Sequence, residues 1–524
     1  MNIPDKDSLW STGRTPLPGL VGSRVLVLSF LLYLFTLAPT VIWGDSASFA
    51  VQAVSMEFGV GAESHSLYIL LGRLFSYLPF EVAYSMNLLS AVTASLALLM
   101  VYLIILEMTG SLASSIIGAA SLCVSHAFWL HAVIPEVYDL NALFVTGIFL
   151  VLLKWHKSPK DPSLLYGAAF LFGLGLTNHL ILGLTVFGFL FFVVLSDPKI
   201  LLRFRVLCFT LFSFIIGSSF LIFLVLQRFV KGRTVVAMAD AATGGIYKKS
   251  MFVISAKIIR DLFMYLAYLS YQFPIAGFVL GAIGIFAIYK ENRKPALCLF
   301  SLIGVNMAFF LTFGPGVMRT TKYTFYIADY SIFSILIGYG FFAFGRFWQS
   351  RGYTLKSVSA GTLCLVILLP LFLYTVTPYA SRKLSIDILH ARTLPYRDNE
   401  EFFLFPGKRG YTGAEKYAEE VLKTATIDAV IIADWTPYTV LRYYQVVKGI
   451  RKDILLFFPA NNMHKDTLKK ISDNYWKRDI YLAGIEKGYY PMNKLSKEYD
   501  IVPEGLLYKL VKKRISANTI IYRD

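Results

Sequence analysis

The feature that most constrains this chain is a succession of long apolar segments across its first 380 residues. One helical crossing of a bilayer needs about 20 mostly apolar residues. Segments of that length exclude a disordered chain, a fibrous repeat and an ordinary cytosolic enzyme. They predict an α-helical polytopic membrane domain with about eleven transmembrane helices. The predicted spans are 23–43, 84–106, 111–133, 137–155, 164–178, 179–195, 206–226, 262–289, 296–313, 323–344 and 358–377.

Charge divides the chain into two parts. Residues 381–524 hold 43 charged residues in 144 positions, whereas residues 1–380 hold only 40. We therefore predict a membrane domain over 1–380 and a small soluble domain, the tail, over 381–524. Helical periodicity alternates with short apolar runs in the tail, which is typical of an α/β domain. The predicted helices are 414–422 and 438–447, and the predicted strands are 428–433, 453–458 and 479–482, with a last strand within 502–511.

The basic residues between the apolar segments predict the topology. With a cytoplasmic N-terminus, the clusters at 154–160, 199–205, 290–294 and 346–356 all fall on the cytoplasmic side. This is the arrangement that the positive-inside rule requires. If the apolar stretch 67–80 also crossed the membrane, all later basic clusters would fall on the outer side. We therefore predict that this stretch is a helix on the outer membrane surface. The odd number of spans then places the tail outside the cytoplasm.

The same pattern explains the net charge of +17. Much of the positive excess lies in loops between spans, so it indicates topology rather than a nucleic-acid partner. The basic loop 227–260 is predicted to lie outside and departs from the rule, although long loops weigh less in it. No disulfide framework, zinc-ligand spacing or nucleotide-binding loop is present in the sequence. Nucleotide-driven functions are therefore disfavoured, and dependence on a divalent metal stays open.

Two acidic residues lie beside apolar segments, where a charged carboxylate is energetically unfavourable. Asp45 follows the first span directly, and Glu136 begins the fourth span after Pro135. A carboxylate at the end of an apolar helix is paired or used for function. Ordinary helix chemistry is the alternative for both, because Asp45 can cap a surface helix and Glu136 can favour a helix N-terminus. Both map to the same predicted membrane face, which makes them candidates for catalysis.

Other polar residues near that face are candidates for substrate binding. Arg73, Arg319 and Lys322 could neutralise an anionic phosphate carrier, although interfacial anchoring is the common role of such side chains. Asp329 lies inside the tenth span, where a carboxylate is functional unless a partner such as Arg319 makes it structural. His179 stands at a break between two short helices, where a capping role is the simpler interpretation.

Several segments, in the same order over most of the chain, resemble one family. They are 37–46, 66–68 with 72–75, 87–90, 128–129 with 136–138, 176–179 and 502–508. The family comprises bacterial and eukaryotic membrane proteins related to protein O-mannosyltransferases, in the glycosyltransferase C (GT-C) superfamily.

The resemblance implies a multi-pass enzyme that moves a sugar such as mannose from a polyprenyl-phosphate carrier to an extracytoplasmic acceptor such as a protein Ser or Thr. In that superfamily an acidic residue in the first outer loop is the catalytic base, and Asp45 matches this position. Glu136 and Tyr138 match a second shared segment, with an implied role in positioning donor or acceptor. His179 falls in a third matching segment.

The chain also departs from the family pattern. Ser48 stands where a Glu is common, and the segment 61–64 replaces a His-Pro-Pro-Gly-like run. These departures imply altered specificity, or use of Glu57 or Glu63 instead.

We therefore predict a glycosyltransferase of the cytoplasmic (inner) membrane. Its partners are a lipid-linked sugar donor and a protein or glycan acceptor, and no cofactor is assigned beyond that donor. A base deprotonates an acceptor hydroxyl, which attacks the anomeric carbon while basic groups stabilise the leaving phosphate. The alternatives are a transporter or flippase of lipid-linked sugars and an inactive glycan-binding homologue. The oligomeric state stays open.

Overall fold

The computed structural model describes residues 17–59, 64–242, 245–314, 322–386, 391–459, 463–486 and 488–513. The apolar part forms a bundle of helices, α1 (Pro18–Thr36), α2 (Asp45–Ser55), α3 (Ser66–Phe75), α4 (Val82–Thr109), α5 (Leu112–Cys123), α6 (His126–Ala132), α7 (Tyr138–Lys157), α8 (Ser163–Asn178), α9 (Val186–Ser196), α10 (Phe204–Gly217), α11 (Ser219–Val230), α12 (Val235–Ala242), α13 (Lys257–Gln272), α14 (Ala276–Glu291), α15 (Arg293–Thr312), α16 (Ile327–Gln349) and α17 (Leu355–Lys383). The tail contains α18 (Asn399–Leu404), α19 (Gly413–Thr424), β1 (Val430–Ile432), α20 (Trp435–Val446), β2 (Leu455–Phe457), α21 (Met463–Asn474), β3 (Ile480–Leu482), α22 (Met492–Glu498), β4 (Tyr499–Glu504) and β5 (Leu507–Lys512).

The predicted polytopic membrane fold is confirmed. Within the described residues, six helices are long and apolar enough to cross a membrane, or nine if each of three bent pairs is one span. The bent pairs are α5–α6, α10–α11 and α13–α14. Two shorter apolar helices, Ser163–Asn178 and Leu180–Ser196, coincide with the two short spans predicted there. All eleven predicted segments are therefore helical. Helix α3 covers the first part of the stretch 67–80, and its place on the outer membrane surface stays a prediction.

The predicted span 262–289 is a bent pair of helices in the structure. Helices α13 and α14 meet at 111°, with Pro274 between them. Proline has no N–H to continue the helical hydrogen bonds, and it drives the preceding residue out of the helical conformation. Phe273 accordingly has φ −131° and ψ 69°. The bends of 70° between α5 and α6 and of 66° between α10 and α11 likewise interrupt predicted continuous spans.

Glycines allow two helices of the bundle, α14 and α16, to cross closely. A Cβ added at Gly284 of α14 would lie 1.9 Å from the carbonyl oxygen of Leu336 in α16. A Cβ at Gly340 of α16 would lie 1.9 Å from the carbonyl oxygen of Leu280 in α14. Small residues allow backbones to approach in this way where lipid supplies no hydrophobic driving force between helices. The contact fixes α16, which carries Asp329.

The tail forms a five-stranded sheet in the order β2-β1-β3-β5-β4. β1 pairs in parallel with β2 and β3, so that Ile431 lies opposite Leu456 on one side and Tyr481 on the other. The predicted α/β domain is confirmed, including the first three strands and both helices. The segment 502–511 is mostly a hairpin of β4 and β5 rather than one strand, because Gly505 turns the chain with φ 57°.

The tail packs against one end of the helix bundle, here called the tail-facing end. The backbone N–H of Lys408 donates to the carbonyl of Thr36 at the last turn of α1, at 2.8 Å. Helix α20 packs along α2, and Tyr443 of α20 donates its hydroxyl to Glu81 just before α4, at 3.0 Å. One hydrophobic cluster includes both Trp43 of the bundle and Tyr443 of the tail. The two parts therefore share a continuous core.

Candidate functional site

Asp45 lies at the tail-facing end as the first residue of α2. Gly44 precedes it with φ 69° and ψ −132°, a conformation that glycine adopts without a steric penalty. Gly44 occupies the capping position, and no side-chain capping bond is formed at this helix start. The partly positive N-terminus of α2 favours a negative charge at Asp45.

The carboxylate of Asp45 is bound by a side chain from the tail. The indole Nε1 of Trp435 donates to Asp45 Oδ1 at 2.7 Å. One side of Asp45 is open, while protein surrounds it on the others and raises the pKa of its carboxyl; the hydrogen bond from Trp435 opposes that rise. Trp435 begins α20, whose start is fixed because Asp434 accepts the N–H of Thr436 and pairs with Arg392.

Glu136 lies in the loop between α6 and α7. Its side chain is 16% exposed, and Oε2 is 4.0 Å from Nδ1 of His131. Burial raises the pKa of Glu136 well above its usual range, and the negative charge of Asp45 raises it further, whereas the N–H of Val137 opposes the rise. When two carboxyl groups interact, the one with the higher pKa keeps its proton while the other ionises. Burial and the charge of Asp45 therefore both favour the protonated form of the Glu136 carboxyl.

Asp139 is a third carboxyl group here, and our sequence reasoning missed it. It is completely buried in the first turn of α7, and neither carboxylate oxygen has a hydrogen-bond partner among the described residues. A buried carboxyl without partners is rare and points to function. Its signal in the sequence is its position three residues after Glu136, in the first turn of an apolar helix.

Aromatic and imidazole rings connect the other candidates. The ring of Tyr138 lies 5.3 Å from that of His131 and 5.7 Å from that of His179. The ring of His179 is 4.7 Å from that of His65, just before α3. His179 also accepts the N–H of Ile181 at 3.2 Å, which caps the short 3-10 turn after α8. His65 is a residue that sequence reasoning missed, because we sought a histidine in 61–64 only.

The predicted phosphate-binding cations have other partners. Arg73 donates to the carbonyl of Val54 at 3.2 Å. Lys322 is buried and donates to Asp261 at 2.6 Å, so its charge is already matched. Arg319 lies outside the described residues, as does Glu63. 

Asp329 is buried inside α16. It accepts a hydrogen bond from Asn306 at 3.0 Å, and the described residues pair it with no Lys or Arg. Asp329 and Tyr138 line one narrow cleft between α7, α15 and α16. That cleft has room for about one water molecule, so it is too small for a sugar.

A cavity of about 710 Å³ lies beside the Trp435–Asp45 contact. Its apolar lining includes Phe220 and Phe223 of α11, and residues of α2 and Trp435 also line it. Its cationic lining residues are Arg228, Lys231 and Arg442. Arg442 is paired with Glu57, whereas Arg228 donates only to the carbonyl of Phe58 among its described contacts. A cavity with an apolar wall and a basic rim suits an amphipathic anion.

Sequence reasoning did not select Arg228 or Lys231, because the basic loop after the seventh predicted span appeared only as an exception to topology. The side chains that could bind a metal ion are a separate question. Within the described ranges, no group of three or more His, Cys, Asp or Glu side chains is arranged to hold a metal ion.

Comparisons with known proteins agree with the resemblance and the fold. Residues 45–201 match the family described as the N-terminal domain of protein O-mannosyl-transferase TMEM260. The mouse protein O-mannosyl-transferase TMEM260 is 29% identical over 153 residues, which are 28% of this chain and 22% of that protein. The match thus spans about a fifth of the curated relative's length. The matched family segment begins at Asp45 and contains Glu136, Tyr138, Asp139 and His179.

Solved structures confirm the fold. The crystal structure of ArnT from Cupriavidus metallidurans in the apo state superimposes with a TM-score of 0.57, covering 94% of this chain and 98% of that one. The same protein bound to undecaprenyl phosphate gives 0.56, covering 94% and 97%. Sequence identity is 11% in both cases, so the likeness is one of fold.

Proposed function

We propose that this O-mannosyltransferase-related chain of the GT-C fold is a membrane glycosyltransferase that takes a sugar from a polyprenyl-phosphate carrier. The single observation that carries the proposal is the juxtaposition of an ionisable carboxylate, Asp45, with a cavity that is apolar on one side and basic at its rim. ArnT, which shares the fold, has been crystallised with undecaprenyl phosphate, a carrier of that chemistry. Mannose as the sugar and a protein Ser or Thr as the acceptor are the finer part of the proposal.

Asp45 acts as the general base. It accepts the proton of an acceptor hydroxyl, whose oxygen bonds to the anomeric carbon as the bond from that carbon to the phosphate oxygen breaks. The carrier leaves as a phosphate, and the configuration at the anomeric carbon is inverted. Glu136, which holds its proton while Asp45 is ionised, donates a hydrogen bond to a substrate oxygen. Tyr138 and His179, in contact with each other, form the neighbouring wall for donor or acceptor.

The cavity holds the carrier. Phe220 and Phe223 contact the prenyl chain, and Arg228 and Lys231 neutralise its phosphate. Arg73 and Arg319 are secondary candidates for the phosphate. Lys322 is the weakest, because Asp261 already balances its charge. Asp329 contributes a polar group deeper in the bundle. The donor is a substrate, and no cofactor is assigned.

We place the enzyme in the cytoplasmic membrane with its N-terminus inside and the tail outside. The basic loops support this orientation. The division at residue 380 remains a prediction, and the last bundle helix, α17, runs on to Lys383.

The test is a transfer assay. The purified chain in lipid nanodiscs is incubated with radiolabelled polyprenyl-phosphate mannose and a Ser/Thr-rich acceptor peptide, and labelled peptide is counted. We expect labelled product, and we expect Arg228→Gln to raise the KM for the donor. Arg233→Gln, just after the end of α11 and outside the cavity lining, is the matched control. Movement of the carrier across vesicles without any glycosidic product would instead identify a transporter, and binding without either would identify an inactive homologue.

A further inference from the structure

Trp435 clusters with two aromatic side chains of the tail that have no role in the proposed chemistry. The ring of Phe458 lies 5.3 Å from that of Trp435 and 5.5 Å from that of Tyr438. Trp435 and Tyr438 are stacked at 6.4 Å, one turn apart on α20. We call these three residues the aromatic platform.

The platform lies at one edge of the tail sheet. β1 leads through Asp434 into α20, and Phe458 follows β2 directly. β1 and β2 are adjacent and parallel, so both contributions come from the carboxyl ends of neighbouring strands. In open α/β sheets this edge is where ligands bind.

The platform is not part of a sealed core. Trp435 is 38% exposed, and both Tyr438 and Phe458 are partly exposed. Large aromatic side chains clustered at a surface commonly mark a binding site. The backbone under Trp435 is fixed, because Asp434 accepts from Arg392 at 2.7 Å and from Tyr490 at 3.2 Å. The platform is thus held rigid while its surface stays open.

The same indole reaches the proposed base. Trp435 donates to Asp45 at 2.7 Å and also lines the 710 Å³ cavity. Gln52 and Ser48 of α2, which are hydrogen-bonded to each other at 2.9 Å, line the same cavity. A molecule at the platform end of this cavity is therefore within reach of both the Trp435 ring and polar groups of α2.

We propose that the aromatic platform is a subsite for a pyranose ring, supplied by the tail to the active site in the membrane domain. The axial C–H groups of a pyranose form an apolar face that packs on aromatic rings, while its hydroxyl groups stay at the edges for polar partners such as Gln52. The proposal rests on the proposed function for its place beside the base. The ring belongs either to the donor sugar or to a glycan acceptor, which share this chemistry.

The experiment is saturation-transfer NMR on the full chain in nanodiscs with the methyl glycosides of mannose, glucose and galactose as probes. We expect saturation to pass from the protein to the C–H protons of at least one glycoside. Tyr438→Leu and Phe458→Leu, which keep apolar volume but lose the ring, should weaken binding about three- to tenfold. Trp476→Leu, at a tail tryptophan that is 80% exposed and away from the platform, is the control. The proposal is overturned if no glycoside shows a saturation-transfer signal, or if the signal is equal in all variants.

Kinetics then separate the two sources of the ring. A rise in KM for the lipid-linked donor in Phe458→Leu assigns the subsite to the donor sugar, and a rise for a glycosylated acceptor assigns it to the acceptor. Because NMR binding needs no turnover, a chain that binds glycosides on the platform without transferring sugar refutes the proposed function and not the subsite. A chain that transfers sugar without platform-dependent binding refutes the subsite alone.

Discussion

Carboxylates in the tail and carboxylates at the tail-facing end of the bundle have opposite surroundings. In the tail, Asp434 pairs with Arg392 at 2.7 Å, and Asp479 pairs with Lys509 at 2.9 Å. At the end of the bundle, Asp45, Glu136 and Asp139 form no ion pair with a Lys or Arg of the described residues, although all three lie on a chain with a net charge of +17.

The titration of the two groups differs accordingly. The hydrogen bond and charge of Lys509 lower the pKa of Asp479. The protein around the partly open Asp45 raises the pKa of its carboxyl, and burial raises the pKa of Glu136 more strongly. Paired carboxylates stabilise a fold, whereas carboxylates kept unpaired in a dehydrated place destabilise it and are retained for chemistry. The comparison shows that carboxyl groups without a cation partner are found at the bundle end, where the proposed chemistry needs them.

The largest expected effect comes from neutralising the base. Asp45→Asn should lower the turnover number for sugar transfer by about 10²- to 10⁴-fold, the usual contribution of general-base catalysis. Glu136→Gln should lower it by only about tenfold, since an amide resembles the protonated acid that we assign there. Turnover of both variants is measured in the nanodisc assay, with Asp500→Asn in the tail as the control. If Glu136→Gln is the more damaging change, the assignment of base and proton holder is reversed.

A structural change in the tail comes next. Arg392→Ala leaves Asp434 buried without its cation, which should destabilise the tail by about 3 kcal/mol. Hydrogen exchange of the amides of β1 and α20 in the full chain measures this free energy. Arg478→Ala removes an exposed pair with Asp428 and should change it by less than about 1 kcal/mol. Equal effects would mean that burial of the Arg392–Asp434 pair has no energetic consequence.

The smallest expected effect is the change in local stability on acidification, which should have opposite signs near Asp479 and near Glu136. The pKa of Asp479 is lowered by folding, so its stabilisation is complete above the unfolded pKa, near 4, and disappears as pH falls through the lower folded value. The pKa of Glu136 is raised, so its destabilisation is absent below the unfolded pKa and grows as pH rises towards the folded value. Hydrogen exchange at several pH values should show the β3 region losing protection on acidification while the start of α7 does not. Parallel loss in both regions would contradict the comparison.

The sequence was sufficient for features that depend on local patterns. The length of each apolar run predicted the bundle helices, and short apolar runs between polar residues predicted β1, β2 and β3. Pro274 indicates the bend between α13 and α14, but the span was predicted from the length of the apolar run alone. The hairpin of β4 and β5 could not be predicted in this way. It depends on the positive φ of Gly505, and the sequence does not show which glycines adopt a positive φ.

The parts of the candidate site that escaped prediction depend on contacts between distant residues. Asp45 and Glu136 could be selected because a carboxylate beside an apolar run is costly wherever it stands. Nothing local shows that Asp139 lacks a partner, since this depends on what neighbouring helices supply. The contact of Trp435 with Asp45 joins residues 390 positions apart. Arg228 became a candidate only when folding placed it at the rim of a cavity.

The central claim is that the tail and the bundle form one active site through Trp435 and Asp45, and a pH–rate profile tests it most directly. Trp435→Phe keeps an aromatic ring but removes the N–H that lowers the pKa of Asp45. Because the base must be ionised, the acidic limb of the profile should move to higher pH in Trp435→Phe and stay in place in Trp476→Phe. Coincident profiles for the wild type and Trp435→Phe would contradict the claim.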